Sequence, residues 1–125
     1  MGREWHIAIV DDEASVLRAL SRLLGAHGVQ SAPFSSGREF LARLRDDASF
    51  RPDCLLLDIS MPDLNGLEVK ERLRQLGQPL PVVFITAHGQ SPLRERAMAA
   101  GAVAVLQKPV REEALLEAIQ NACAA

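Results

Sequence analysis

Residues 54–68 read Cys54-Leu55-Leu56-Leu57-Asp58-Ile59-Ser60-Met61-Pro62-Asp63-Leu64-Asn65-Gly66-Leu67-Glu68. The run begins with four apolar residues without polar alternation, the length and pattern of a strand buried on both faces. An acid ends that strand. Asn65 and Glu68 then stand at capping-box spacing, where each side chain can satisfy an amide of a new helix. Strand, acid, loop and helix start thus occupy fifteen residues.

The same unit recurs in both directions. Apolar runs at 7–10, 82–85 and 102–106 have strand length, and segments of helical period separate them. Val16, Leu17, Leu20, Leu23 and Leu24 share one helix face. Shorter stripes follow at Phe40, Leu41 and Leu44, at Val69, Leu73 and Leu76, and at Leu115, Leu116 and Ile119. Ser36 with Glu39 makes a second capping box, Ser91-Pro92 reads as a cap followed by proline at the first helical position, and Glu112 and Glu113 favour a helix N-terminus. Gly25 or Gly28, Gly77 and Gly101 stand where helices should stop. A weaker strand at 29–34 contains Pro33, which suits a sheet edge. Five strand–helix units with right-handed crossovers predict an α/β fold: a five-stranded parallel sheet in the order 2-1-3-4-5 with helices on both faces.

Composition agrees with one domain over residues 1–125, with 48% hydrophobic and 24% charged residues. A net charge of −2 argues against a surface that binds nucleic acid directly. The longest apolar run, 102–106, is five residues, far short of the roughly 20 a membrane span needs. No signal-peptide core follows Met1, so a soluble, cytoplasmic protein is expected. Cys54 and Cys123 lack redox-motif spacing, and His6, His27 and His88 lack metal-ligand spacing.

Ligands of such sheets bind beyond the carboxyl ends of the strands. There the chain places Asp11, Asp12 and Glu13 after the first strand, Asp58 after the third, Thr86 after the fourth and Lys108-Pro109 after the last. Singly these are ordinary: acids open helices, and threonine ends strands. Together, three carboxylates (Asp11, Asp12, Asp58) repel one another unless a cation sits among them, and an oxygen-only set with room for water suits Mg²⁺ better than Ca²⁺. A hydroxyl and an ammonium add what is needed to stabilise a phosphoryl group in transfer. A carboxylate so placed can be the nucleophile, forming an aspartyl phosphate. Lys108 stands out further because the chain has 12 arginines and two lysines.

The segments Ile9-Val10-Asp11-Asp12-Glu13, Leu57-Asp58 through Glu68, Phe84-Ile85-Thr86-Ala87 and Lys108-Pro109 together resemble the response-regulator receiver domain of two-component signalling. The likeness runs from residue 7 to about 122, with spacings of 46 positions from Asp12 to Asp58, 28 to Thr86 and 22 to Lys108. It implies that Asp58 accepts a phosphoryl group from a phosphohistidine of a sensor histidine kinase or phosphotransfer protein. It further implies Mg²⁺, with Mn²⁺ as substitute, held by Asp12, Asp58 and the main-chain carbonyl of Ser60, with Asp11 holding a metal-bound water. Thr86 and Lys108 would each bind a phosphoryl oxygen, and Lys108-Pro109 would be cis. Ala87 would leave space for the phosphoryl group, while Ser60 and His88 would flank it and tune its hydrolysis.

The resemblance also implies a switch read on the face of the fourth helix, fifth strand and fifth helix, for homodimerisation or output control, with no enzymatic activity beyond self-phosphorylation and slow self-dephosphorylation. The family's inward-swinging aromatic falls at Val105, so a readout through loop and helix displacement is expected instead. Ala14, Ser15 and Arg18 are candidates for kinase docking. The stretch Ile85-Thr86-Ala87-His88-Gly89 resembles receivers of LuxR-type transcriptional regulators, although no output domain is expected within these 125 residues. Two readings compete. A haloacid-dehalogenase-like phosphatase would also use Asp58 as nucleophile, but Ser60 stands where its general acid belongs. A flavodoxin-like cofactor binder would need a phosphate loop where Asp11 and Asp12 stand.

Overall fold

The computed structural model describes residues 4–87 and 92–124. Within them five strands and five helices alternate. The first half holds β1 (His6–Val10), α1 (Ala14–Ala26), β2 (Gln30–Phe34), α2 (Gly37–Asp46) and β3 (Cys54–Asp58). The second holds α3 (Gly66–Gln75), β4 (Val82–Thr86), α4 (Pro92–Ala99), β5 (Ala104–Gln107) and α5 (Glu112–Cys123). All strand pairs are parallel, in the order β2-β1-β3-β4-β5, as the alternation predicts.

Neighbouring strand residues point to opposite faces, so each apolar run feeds two cores. Ala8, Val10, Leu55, Leu57 and Phe84 join Phe40, Val69, Leu73 and Ala97 beneath α2, α3 and α4. Ile7, Ile9, Leu56, Val83 and Ile85 join Leu20, Leu24, Leu115 and Ile119 beneath α1 and α5. This double burial explains why the runs show no polar alternation. Pro33 sits opposite Ile9 on the edge strand β2, where its missing amide is tolerated.

Side-chain caps mark the starts of α2 and α3. Asn65 and Glu68 form the full reciprocal box, with Glu68 N donating to Asn65 Oδ1 at 2.9 Å and Asn65 N to Glu68 Oε1 at 2.8 Å. Ser36 makes only half of one. Its hydroxyl accepts from Glu39 N at 3.1 Å, but the Glu39 carboxylate turns to Ser35 instead. Gly28, at φ 74°, ends the turn after α1 in the left-handed region, while Gly25 stays inside the helix. The Ser91 cap and His88 lie outside the described residues; Pro92 opens α4.

Two expectations shift. The last strand begins at Ala104, two residues after its apolar run does, because Ala102 closes the turn from α4 by donating to Ala97 O at 3.2 Å. Leu76 drops from its stripe to 53% exposure, because α3 ends one residue before it. Cys54 and Cys123, unrelated in sequence, meet in the core beneath α1 and α5. Their mutual hydrogen bond and burial push the Cys54 thiol up.

Candidate functional site

The topology brings four strand ends to one rim. Asp11 follows β1 directly, Asp58 closes β3, Thr86 closes β4, and Lys108 follows β5. Because β1 has β2 on one side and β3 on the other, the rim between β1 and β3 is where strand order reverses, the expected place for a ligand. Asp11, Asp58 and Thr86 are buried, whereas Asp12 is exposed. Asp11, Asp12 and Asp58 each offer a carboxylate oxygen, all within 4.8 Å of one another.

Hydrogen bonds hold the acids in place. Asp11 Oδ1 accepts from Glu13 N at 2.8 Å, and Asp58 Oδ1 accepts from Ser60 N at 3.2 Å. Lys108 Nζ stands 2.9 Å from Asp11 Oδ2, 2.9 Å from Glu13 Oε1 and 3.5 Å from Asp58 Oδ2. The approach to Asp11 Oδ2 is an ion pair too bent to count as a hydrogen bond, which leaves that buried oxygen short of a well-directed donor. Lys108 N donates to Thr86 O at 2.8 Å, fixing the lysine backbone against β4, and the Lys108–Pro109 bond is cis. Arg94 of α4 reaches β5 by donating from Nη1 to Val105 O at 3.1 Å.

Electrostatics follow from this crowding. Burial, then the charge of Asp11, push Asp58 up to about 7, against the pull of Lys108 and the Ser60 amide. Burial alone would lower Lys108. The hydrogen bond to Glu13, the close approach to Asp11 and the charges of Asp58 and Asp11 outweigh it and hold the ammonium above the usual lysine range. One ammonium among four carboxylates leaves net negative charge at the rim. An all-oxygen donor set with an orphaned buried oxygen fits a hard divalent cation.

Every sequence-predicted site residue among the described ones therefore sits at this rim: Asp11, Asp12, Asp58 and Lys108 as a cluster, Thr86 beside it on β4, Ser60 on the loop past Asp58. Ala87 is exposed next to Thr86. The residue that sequence reasoning missed is Glu13, as a partner of Lys108. It stands in the acidic run, but nothing in the run indicates an ion pair across 95 positions.

The family model for the response regulator receiver domain matches residues 7–120. The chain belongs to the response regulator receiver domain family. This receiver is 43% identical over 120 residues to the response regulator protein TmoT of Ectopseudomonas mendocina, covering 96% of this chain and 53% of the relative. It is 34% identical over 122 residues to the transcriptional regulatory protein FixJ of Bradyrhizobium diazoefficiens, covering 98% and 58%. The chain thus spans about half the length of the curated relatives it matches. A crystal structure of a response regulator receiver protein from Burkholderia phymatum superposes with a TM-score of 0.87 at 43% identity, covering 97% of this chain and 96% of that one. The phosphatase alternative finds no support in these matches. Among the described residues no helix is long and apolar enough to cross a membrane.

Proposed function

We propose that this receiver takes a phosphoryl group onto Asp58 from the phosphohistidine of a sensor histidine kinase or phosphotransfer protein. The observation that carries the reading is the convergence of Asp11, Asp12, Asp58 and Lys108 at the strand-order reversal. A carboxylate oxygen of Asp58 attacks phosphorus, the new O–P bond replaces the N–P bond, and the imidazole leaves with the bonding pair. Lys108 Nζ meets the charge on one phosphoryl oxygen and the Thr86 hydroxyl donates to another. Asp11, Asp12, Asp58 and the Ser60 carbonyl would hold Mg²⁺, or Mn²⁺ in its place, which supplies charge neutralisation among the acids and the phosphoryl oxygens. The domain catalyses only this self-phosphorylation and a slow self-dephosphorylation, in the cytoplasm.

For docking, Ala14, Ser15 and Arg18 are exposed on α1, and a shallow recess of about 440 Å³ lined by Ala14, Leu17, Arg18 and Pro33 lies beside them. The test is incubation with Mg²⁺ and acetyl phosphate, followed by intact mass. One phosphoryl group should be gained, and the gain lost on chelation and in Asp58→Ala. No gain in the wild type, or an undiminished gain in Asp58→Ala, overturns the reading.

Switching has to work without a ring at Val105, which is buried. The Arg94–Val105 bond supports a readout in which α4 moves against β5, altering the α4-β5-α5 face for homodimerisation or control of an output domain. On adding Mg²⁺ and beryllofluoride, amide shifts should extend along α4 to Val105 and its neighbours. Shifts confined to the acidic rim would contradict displacement.

A further inference from the structure

We infer that Glu13 is a built-in competitor of the phosphoryl group for Lys108, and so a positioning residue that sets how readily Asp58 is modified. The inference rests on the phosphoryl-acceptor reading above. Glu13 occupies the N-cap of α1, a place where a side chain ordinarily caps the helix, yet it makes no cap hydrogen bond. Its carboxylate is turned to Lys108 instead, 2.9 Å from Nζ. Its own amide is tied to Asp11 Oδ1 at 2.8 Å, which fixes the backbone from which it reaches.

An ammonium has three protons, and Lys108 faces three carboxylates. The contact the reaction needs, to Asp58, is the longest at 3.5 Å, and the two at 2.9 Å hold the lysine on the β1 side. A phosphoryl group on Asp58 adds acceptor oxygens and negative charge, so one present partner has to yield. Asp11 is 1% exposed, so water cannot take the place of Lys108 beside it, and an acceptor left unsatisfied there is expensive. The Glu13 side chain is 59% exposed, so water replaces Lys108 at little cost. The exchange is therefore Glu13 for phosphoryl oxygen, and it releases the Glu13 side chain at the start of α1.

An exposed ion pair of this kind is worth a factor of about two to five. With Mg²⁺ saturating, Glu13→Gln should tighten binding of beryllofluoride about two- to fivefold and lower the half-saturating acetyl phosphate concentration to match, with the maximal rate little changed. Glu13→Asp keeps the charge but is one methylene too short to hold Lys108, so it should behave like the Gln variant. In a Lys108→Met background, Glu13→Gln should have no effect, since the competition acts through the lysine. Weaker or unchanged beryllofluoride binding in Glu13→Gln overturns the inference. So does Asp behaving as wild type, or an effect that persists in Lys108→Met, which would mark a general field effect. Failure of the wild-type protein to take up any phosphoryl group would instead defeat the underlying reading.

Discussion

Asp58→Asn should melt higher than the wild type at pH 8 without metal, while losing all phosphoryl uptake. The reason lies in the burial of Asp58 and, after it, in the charge of Asp11 beside it. Asp58 is raised in the folded state from 3.8 to about 7, so between those pH values the folded protein keeps a proton that the unfolded chain has released. Stability therefore falls as pH rises through that window, and the full penalty is present above pH 7. Asparagine keeps the shape and the oxygen that accepts from the Ser60 amide but carries no charge. The expected gain at pH 8 is roughly 2–4 kcal/mol, a rise in Tm on the order of 10 °C, shrinking toward zero near pH 4. Thermal melts across pH 4–8 check it, and Mg²⁺ should raise the wild-type Tm at pH 8 much more than that of the variant. A variant that melts at or below the wild type at pH 8 would show that the acids do not strain the fold.

The second large effect is expected from steric contact alone. Gly66 opens α3, and its amide donates to Ile59 O at 2.8 Å. A Cβ there would lie 2.5 Å from Asp58 O, 2.9 Å from Ile59 Cα and 3.1 Å from Phe84 Cε1. Two of these neighbours are backbone at the end of β3, so relief requires moving the very segment that carries Asp58. Gly66→Ala should destabilise the domain by about 3 kcal/mol and slow phosphorylation of Asp58 by acetyl phosphate at least tenfold in whatever fraction remains folded. Gly25→Ala is the control. It sits inside α1 with nothing within 4 Å of the new Cβ, and alanine should add about 0.5–1 kcal/mol. Urea unfolding of the two variants decides the matter; equal stabilities would mean the close approach at Gly66 is not a constraint.

Much of this molecule is legible from local pattern alone. Unbroken apolar runs signal strands covered on both faces because a parallel strand has no solvent face to mark with polar residues. Asn65 with Glu68 marks the start of α3 because a cap acts within one turn. The candidate residues Asp11, Asp12, Asp58, Thr86 and Lys108 stand within two positions of the ends of the apolar runs, and parallel strands must bring their carboxyl ends together. Where the reading slipped, a neighbour in space intervened. The turn hydrogen bond from Ala102 to Ala97 removed two residues from the last strand, and Glu39 left its capping box for Ser35.

The order of apolar runs, caps and strand-end polar groups was decided by sequence, because each rests on forces that act over a few residues. Tertiary structure decided the pairings across the chain. Lys108 leans toward Glu13 and Asp11 more closely than toward Asp58, Cys54 meets Cys123, and Gly66 presses on the backbone of Asp58. Such choices depend on distances of a few tenths of an ångström and on which carboxylate water can reach, quantities that exist only once the sheet has closed.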